Sequence, residues 1–260
     1  MVQKLIALLI VAFWSTMMGL LIRREIVPGL MAKAPVGYEN ILAREERTRH
    51  ERMGIYFATR RIGASETRIT RETDGRLRIE NATEFTLAAF PLPMLPENAK
   101  VKAQLTAVVD ERHGLRWFRF ELDSMLQPMT ILGRVAGRKL KIETKVGDAP
   151  GARQLMDFDP SAILTSGFSP FVGVPDLRIG REWQISMFNP LTQTMDICQA
   201  RVTAQETLQT DDGPEDAYVV TLQHGTSELR AWINAKGEVL QEETPFGLTL
   251  KREKTVTDER

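Results

Sequence analysis

Residues 139–146 read Lys-Leu-Lys-Ile-Glu-Thr-Lys-Val. Lys139, Lys141, Glu143 and Lys145 alternate with Leu140, Ile142, Thr144 and Val146. Only an extended strand, whose successive side chains point to opposite faces, sorts such a run into one wet side and one buried side. The same two-residue rhythm recurs from Met53 towards the C-terminus, and turn-forming residues punctuate it. Asp74-Gly75 supplies the positive φ angles of a hairpin turn. Asp110 to Gly114, Ala136-Gly137 and Ala235-Lys236-Gly237 are further turns, and a tight turn is expected near Arg60 to Gly63. In Leu115 to Leu122 the alternation places Phe118, Phe120 and Leu122 on one face and Trp117, Arg119 and Glu121 on the other. Further strands are expected near Trp183–Phe188, Thr194–Gln205, Ala217–Gln223, Ser227–Asn234, Glu238–Glu243 and Phe246–Arg252, with a short helix near Ser161 to Thr165. About a dozen strands with short connections imply antiparallel neighbours. The expected fold class is mainly β: a large curved antiparallel sheet, or incomplete barrel, over residues 53–253.

One segment breaks the pattern. Leu5 to Ile22 carries no charge and no proline, and its polar members are Ser15 and Thr16. As a helix it spans roughly 27 Å, close to the hydrocarbon thickness of a bilayer. Pro28-Gly29 ends any continuation. A cleaved signal peptide would place a small-residue site directly after the apolar core, whereas Ala32-Lys33-Ala34 lies well beyond it and precedes Pro35. The segment is therefore expected to be a retained single-pass transmembrane helix, within an anchor of residues 1–29. Two signals conflict on orientation. Arg23 and Arg24 after the helix favour a cytoplasmic C-terminal domain by the positive-inside rule, while a short stub before an apolar run is how signal anchors export the domain behind them. The exported arrangement is preferred, which places the domain outside the cytoplasm at a bacterial inner membrane.

Residues 30–52 are expected to form a linker and a charged juxtamembrane spacer. Glu39 to Arg52 is rich in helix formers, and Glu45 and Arg49 stand at helical i, i+4 spacing. Residues 254–260 form a charged tail. The 34 basic and 34 acidic residues of the 260-residue chain cancel. No global field draws it to nucleic acid, and membrane attachment must come from residues 5–22.

The segments MGIYFATRRIGASETRI (Met53 to Ile69) and WINAKGEVLQEETPFGLTLKRE (Trp232 to Glu253) resemble those of uncharacterised bacterial membrane-anchored proteins, some found with transglutaminase-like proteins. Their soluble domain is similar to the periplasmic lipoprotein-carrier (LolA-like) architecture. The resemblance implies an extracytoplasmic incomplete barrel and no activity. Gly63 and Gly237 suit turns, and Gly247 suits a bend or close approach.

Candidate chemistry is sparse. Cys198, the sole thiol, faces opposite Ile197, with no helix N-terminus beside it to activate it. His50, His113 and His224 share no metal-type spacing. Asp157 with Asp159, and Asp211 with Asp212, read as turn formers. Gly-rich phosphate-binding patterns are absent. No catalytic residue, metal or cofactor is expected. The apolar, proline-held stretch SGFSPFVGVPDL (Ser166 to Leu177) can plug one end of the sheet or act as a lid. Phe118, Phe120, Phe168 and Phe171 are the residues that would meet a lipid-like or other apolar ligand. The expected role is an accessory or scaffolding protein of a cell-envelope assembly with an envelope protein partner. An apolar-ligand module, or an enzyme with an unrecognised site, are the alternatives.

Overall fold

The computed structural model describes residues 37–42, 45–90, 96, 99–124, 127–165, 176–225, 227–245 and 247–253, together with Met17. A first run of strands comprises β1 (Thr48–Phe57), β2 (Arg60–Arg71), β3 (Leu77–Thr86), β4 (Lys100–Val109), β5 (Leu115–Asp123), β6 (Met129–Ala136), β7 (Lys139–Val146) and β8 (Ala152–Asp157). A second comprises β9 (Ile163–Leu164), β10 (Glu182–Asn189), β11 (Thr194–Thr210), β12 (Gly213–His224), β13 (Ser227–Asn234), β14 (Val239–Glu243) and β15 (Leu248–Arg252). All lie in one sheet, ordered β8 to β1 and then β15 back to β9. Each run is a meander in which every strand pairs with its sequence neighbour. The two meanders meet where β1 pairs antiparallel with β15, from Met53↔Arg252 to Phe57↔Leu248. Neighbours are antiparallel throughout except β9 with β10. The sheet stays open, with β8 and β9 at its edges among the described residues.

Turn chemistry fixes the hairpins. Gly75, Gly137, Gly237 and Gly247 hold φ angles of 83°, 59°, 81° and 74°, a region nearly closed to other residues. Gly63 departs from its expected turn position. The turn before it falls at Ala58 (φ 54°), and Gly63 lies inside β2 opposite Phe85. A Cβ there would run into the Glu84 carbonyl and the Phe85 side chain. Glycine at this position permits close strand approach, not a reversal.

The first meander curls until β10 covers its inner face. Phe118, Phe120, Ile131, Leu140 and Ile142 pack with Phe188 from β10 and Phe158 from the β8–β9 connection. The Phe118 and Phe188 rings lie 5.8 Å apart, and Phe158 meets Phe188 edge-on at 5.5 Å, both favourable aromatic geometries. Gly133 stands directly across from Phe118. The Phe118 ring occupies the space a Cβ at Gly133 would need. A second cluster fills the inner face of β10–β13 around Trp183, Ile185, Cys198, Val220 and Ile233. A third, with Ile55, Leu250 and Phe85, lies at the seam between the meanders.

On the inner face of β2 and β3, polar side chains satisfy one another. Ser65 and Thr83 share a hydrogen bond of 2.8 Å, and the Asn81 amide donates to Ser65 and Thr67 at 2.9 Å each. At the seam Arg252 donates to Glu238 at 2.8 Å, and Asn234 donates to Glu238 and Glu215. The Arg252 hydrogen bond, reinforced by Asn234, pulls the Glu238 carboxyl down to about 2. Glu51, close by on β1, is shifted up because burial penalises its charge more than Arg49 and Arg252 favour it.

Two expectations are corrected, and a third lies outside the described residues. The charged spacer does not extend through Arg52, because β1 begins at Thr48. Arg49 therefore has no helical partner in Glu45. It pairs with Glu46 at 2.6 Å and donates to the Ile41 carbonyl, which clamps the 3₁₀ turn Tyr38–Asn40 onto the sheet. Pairing of Thr48 to Arg52 with β2 outweighs the weak helix propensity of a short charged run. The expected helix near Ser161 is a turn followed by β9, whose Leu164 N–H donates to the buried Tyr38 hydroxyl at 2.8 Å. Five residues offer too little helix to compete with that bond and the burial of Ile163 and Leu164. The residue 5–22 segment lies outside the described residues except for Met17, and among the described residues no helix is long and apolar enough to cross a membrane.

Candidate functional site

Because Ala107, Phe118, Gly133 and Ile142 form one inward row across β4 to β7, their strand neighbours must face out. The outward row reads Arg78, Val108, Trp117, Arg134 and Lys141. The next reads Glu80, Thr106, Arg119, Leu132 and Glu143. The register slips beside Val108, so Trp117 opposes Val108, Leu115 opposes Val109, and Arg116 has no opposite residue. Such a bulge re-aims the extra side chain, and Arg116 joins Trp117 on the outer face. The adjoining hairpin is shaped by Asp110, which accepts the backbone N–H groups of Arg112 and Gly114 at 2.9 and 3.0 Å. His113 adopts φ 61°. The hairpin between β2 and β3 brings Arg76 to the same end.

The result is an open groove of about 1060 Å³ over the outer face of β4–β6. Arg76, Arg112, Arg116, Arg119 and Arg134 line it around the half-buried Trp117 indole, against the acids Asp110 and Glu111. Its cations are unequally compensated. Arg76 meets Asp74 at 2.6 Å and Arg119 meets Glu121 at 2.6 Å. The Asp74 carboxyl is lowered by the Arg76 hydrogen bond. Arg116 reaches Asp110 only at 3.9 Å, and that carboxylate already serves the turn. Among the described residues the guanidinium groups of Arg112 and Arg134 pair with no carboxylate. A positive, partly apolar surface of this kind suits anions presented on a flat or extended ligand.

Of the described residues singled out from sequence, Phe118 touches the groove although it is fully buried, and the others fall elsewhere. Phe118 and Phe120 are 0% and 1% exposed inside the packed core, so at these two positions no open apolar space awaits a ligand. Phe168 and Phe171 lie outside the described residues, as does most of the 166–177 stretch. Cys198 is buried and free, with Ile197 beside it 71% exposed, as alternation requires. Burial, reinforced by Asp196, pushes the thiol up to about 11, which opposes nucleophilic use. Asp157 pairs with Lys139 at 2.7 Å, and Asp159 accepts the Ser161 N–H and hydroxyl at 3.0 and 2.7 Å. Both are occupied as turn and surface groups. His50 lies on β1, His113 in a hairpin turn and His224 at the end of β12. Among the described residues no three histidine, cysteine or acidic side chains converge as metal ligands. Alternation along β5 puts Trp117 and Arg119 on the outer face but does not by itself nominate the groove. The recurrence of arginine at 112, 116 and 119 through one hairpin was the available signal.

No protein-family model matches the chain, and no curated protein matches its sequence. Among solved structures it is similar to a β-barrel-like protein of a domain of unknown function (DUF1849) from Brucella abortus. The TM-score is 0.52 at 9% identity, over 79% of this chain and 95% of that one. The shared feature is the fold: a mainly β, open and curved sheet. The likeness shown is to a bacterial β-barrel-like protein of unknown function.

Proposed function

We propose that this chain is a non-catalytic binding component of the bacterial cell envelope, anchored by residues 5–22, whose extracytoplasmic domain offers the outer face of its sheet to a partner. The observation that carries this reading is the groove around Trp117, where Arg112 and Arg134, held on a strand and a turn, pair with no carboxylate among the described residues. A surface built on paired strands is presented with little conformational freedom, which favours recognition. The packed interior at Phe118 and Phe120 gives the apolar-ligand alternative no support at those positions. The raised Cys198 thiol and scattered histidines offer an enzyme reading nothing to build on.

The test is crosslinking in intact membranes from a photoreactive residue at position 134, compared with one at Asp216 on the far β12 strand. A discrete adduct from position 134 alone supports the reading. Recovery of the protein uncrosslinked from both positions refutes it. Protease access from the periplasmic side of spheroplasts checks the orientation independently.

A further inference from the structure

Five arginines alone would serve any polyanion, but their arrangement around an indole is more selective. Trp117 stands in the middle of the outward row, with Val108 and Arg134 across the neighbouring strands and Arg119 two residues along. The bulge that frees Arg116 brings a further arginine to the same face of the sheet. An apolar ring face framed by forked donors matches a ligand that alternates flat C–H surface with carboxylate or phosphate groups. A bare phosphate would use the arginines and leave the indole idle. A groove of about 1060 Å³ also exceeds what a single small anion fills, and its openness to solvent leaves room for a longer ligand. The local excess of positive charge contrasts with a chain whose 34 basic and 34 acidic residues cancel. The charge is therefore focused on this face and not spread as a general field for nucleic acid.

From this arrangement we infer that the groove around Trp117 binds an anionic saccharide, a chain of sugar rings carrying carboxylate or phosphate groups. Trp117 stacks on a ring, and Arg112, Arg116 and Arg134 take the anionic substituents. The inference rests on the proposed binding role outside the cytoplasm, where such saccharides occur.

The test uses full-length protein in neutral detergent micelles, titrated calorimetrically with polygalacturonate oligosaccharides. Matched neutral dextran, inorganic pyrophosphate and a single-stranded oligonucleotide are the comparison probes. Polygalacturonate should bind, dextran should not, and raising the salt to about 0.5 M should weaken binding because exposed charges are screened. The Arg112→Glu/Arg134→Glu protein should bind at least about tenfold more weakly, as expected when two charge-assisted contacts become repulsive, while its thermal melt stays unchanged. Trp117→Leu should weaken polygalacturonate but leave pyrophosphate binding intact. Equal binding of dextran, tighter binding of the oligonucleotide, indifference to the arginine substitutions, or no binding of polygalacturonate would each overturn the inference. Loss of saccharide binding alongside a persistent crosslinked partner at position 134 would overturn the saccharide and leave the binding role standing. Saccharide binding without any crosslinked protein would overturn the protein partner and leave the saccharide as what this face binds.

Discussion

Replacing Phe118 by alanine separates a packed core from a ligand cavity. The side chain is 0% exposed, its ring lies 5.8 Å from that of Phe188, and it covers the bare backbone of Gly133. Removing a buried phenylalanine ring loses its transfer free energy and leaves a void, together about 3–5 kcal/mol. The upper part of that range is expected here. Gly133 has no side chain to lean into the space, and strand pairing on both sides prevents β5 from moving inward. The contact with Phe188 should account for about 0.5–1.5 kcal/mol of the total, recoverable as coupling in a cycle with Phe188→Ala. A domain of ordinary stability, about 5–15 kcal/mol, would then be left marginal. The assay is equilibrium urea denaturation of the full-length protein followed by far-ultraviolet circular dichroism, with the slope compared between variants. A loss below about 1 kcal/mol at unchanged slope would refute the reasoning. It would mean that the site tolerates an empty space, as a ligand pocket does, and that the aromatic residues of β5 serve binding after all.

Gly133→Ala should cost about 1–3 kcal/mol by forcing a methyl against the Phe118 ring, and much of that penalty should vanish in a Phe118→Ala background, read by the same denaturation. Leu250→Ala, which hollows the seam where β15 joins the meanders opposite Ile55, should cost about 2–5 kcal/mol and should make the β1–β15 region the first cut in limited proteolysis. Glu238 titrates at about 2 in the folded protein against an ordinary 4.5. Its stabilisation is therefore complete above pH 4.5 and lost as the pH falls towards about 2. Glu238→Gln should lower the melting temperature at neutral pH and converge on the parent protein near pH 2, whereas Glu51→Gln, at a carboxyl shifted the opposite way, should not lower it at neutral pH. The Cys198 thiol, buried and raised to about 11, should resist Ellman's reagent in the native protein and react within the dead time in denaturant.

What the amino-acid order determined by itself was local. Alternation assigned Phe118, Phe120, Leu140 and Ile142 to the buried face and Trp117, Arg119, Lys139 and Lys141 to the other, because a strand's side-chain period does not depend on its partners. Glycines at 75, 137, 237 and 247 marked their bends, since positive φ is a property of single residues. Gly63 shows the limit. Its meaning lay in Phe85 on the adjacent strand, which no inspection of its own neighbours reveals. Only the tertiary structure decided that β1 would pair with β15 across nearly the whole chain, and that Thr48 to Arg52 would join the sheet. It also decided that Phe188 would close over Phe118, and that arginines from position 76 to position 134 would share one groove. These outcomes depend on which strands find each other and how far the sheet twists. Those choices are made by burial and pairing between distant segments, and so they leave no mark within a window of sequence.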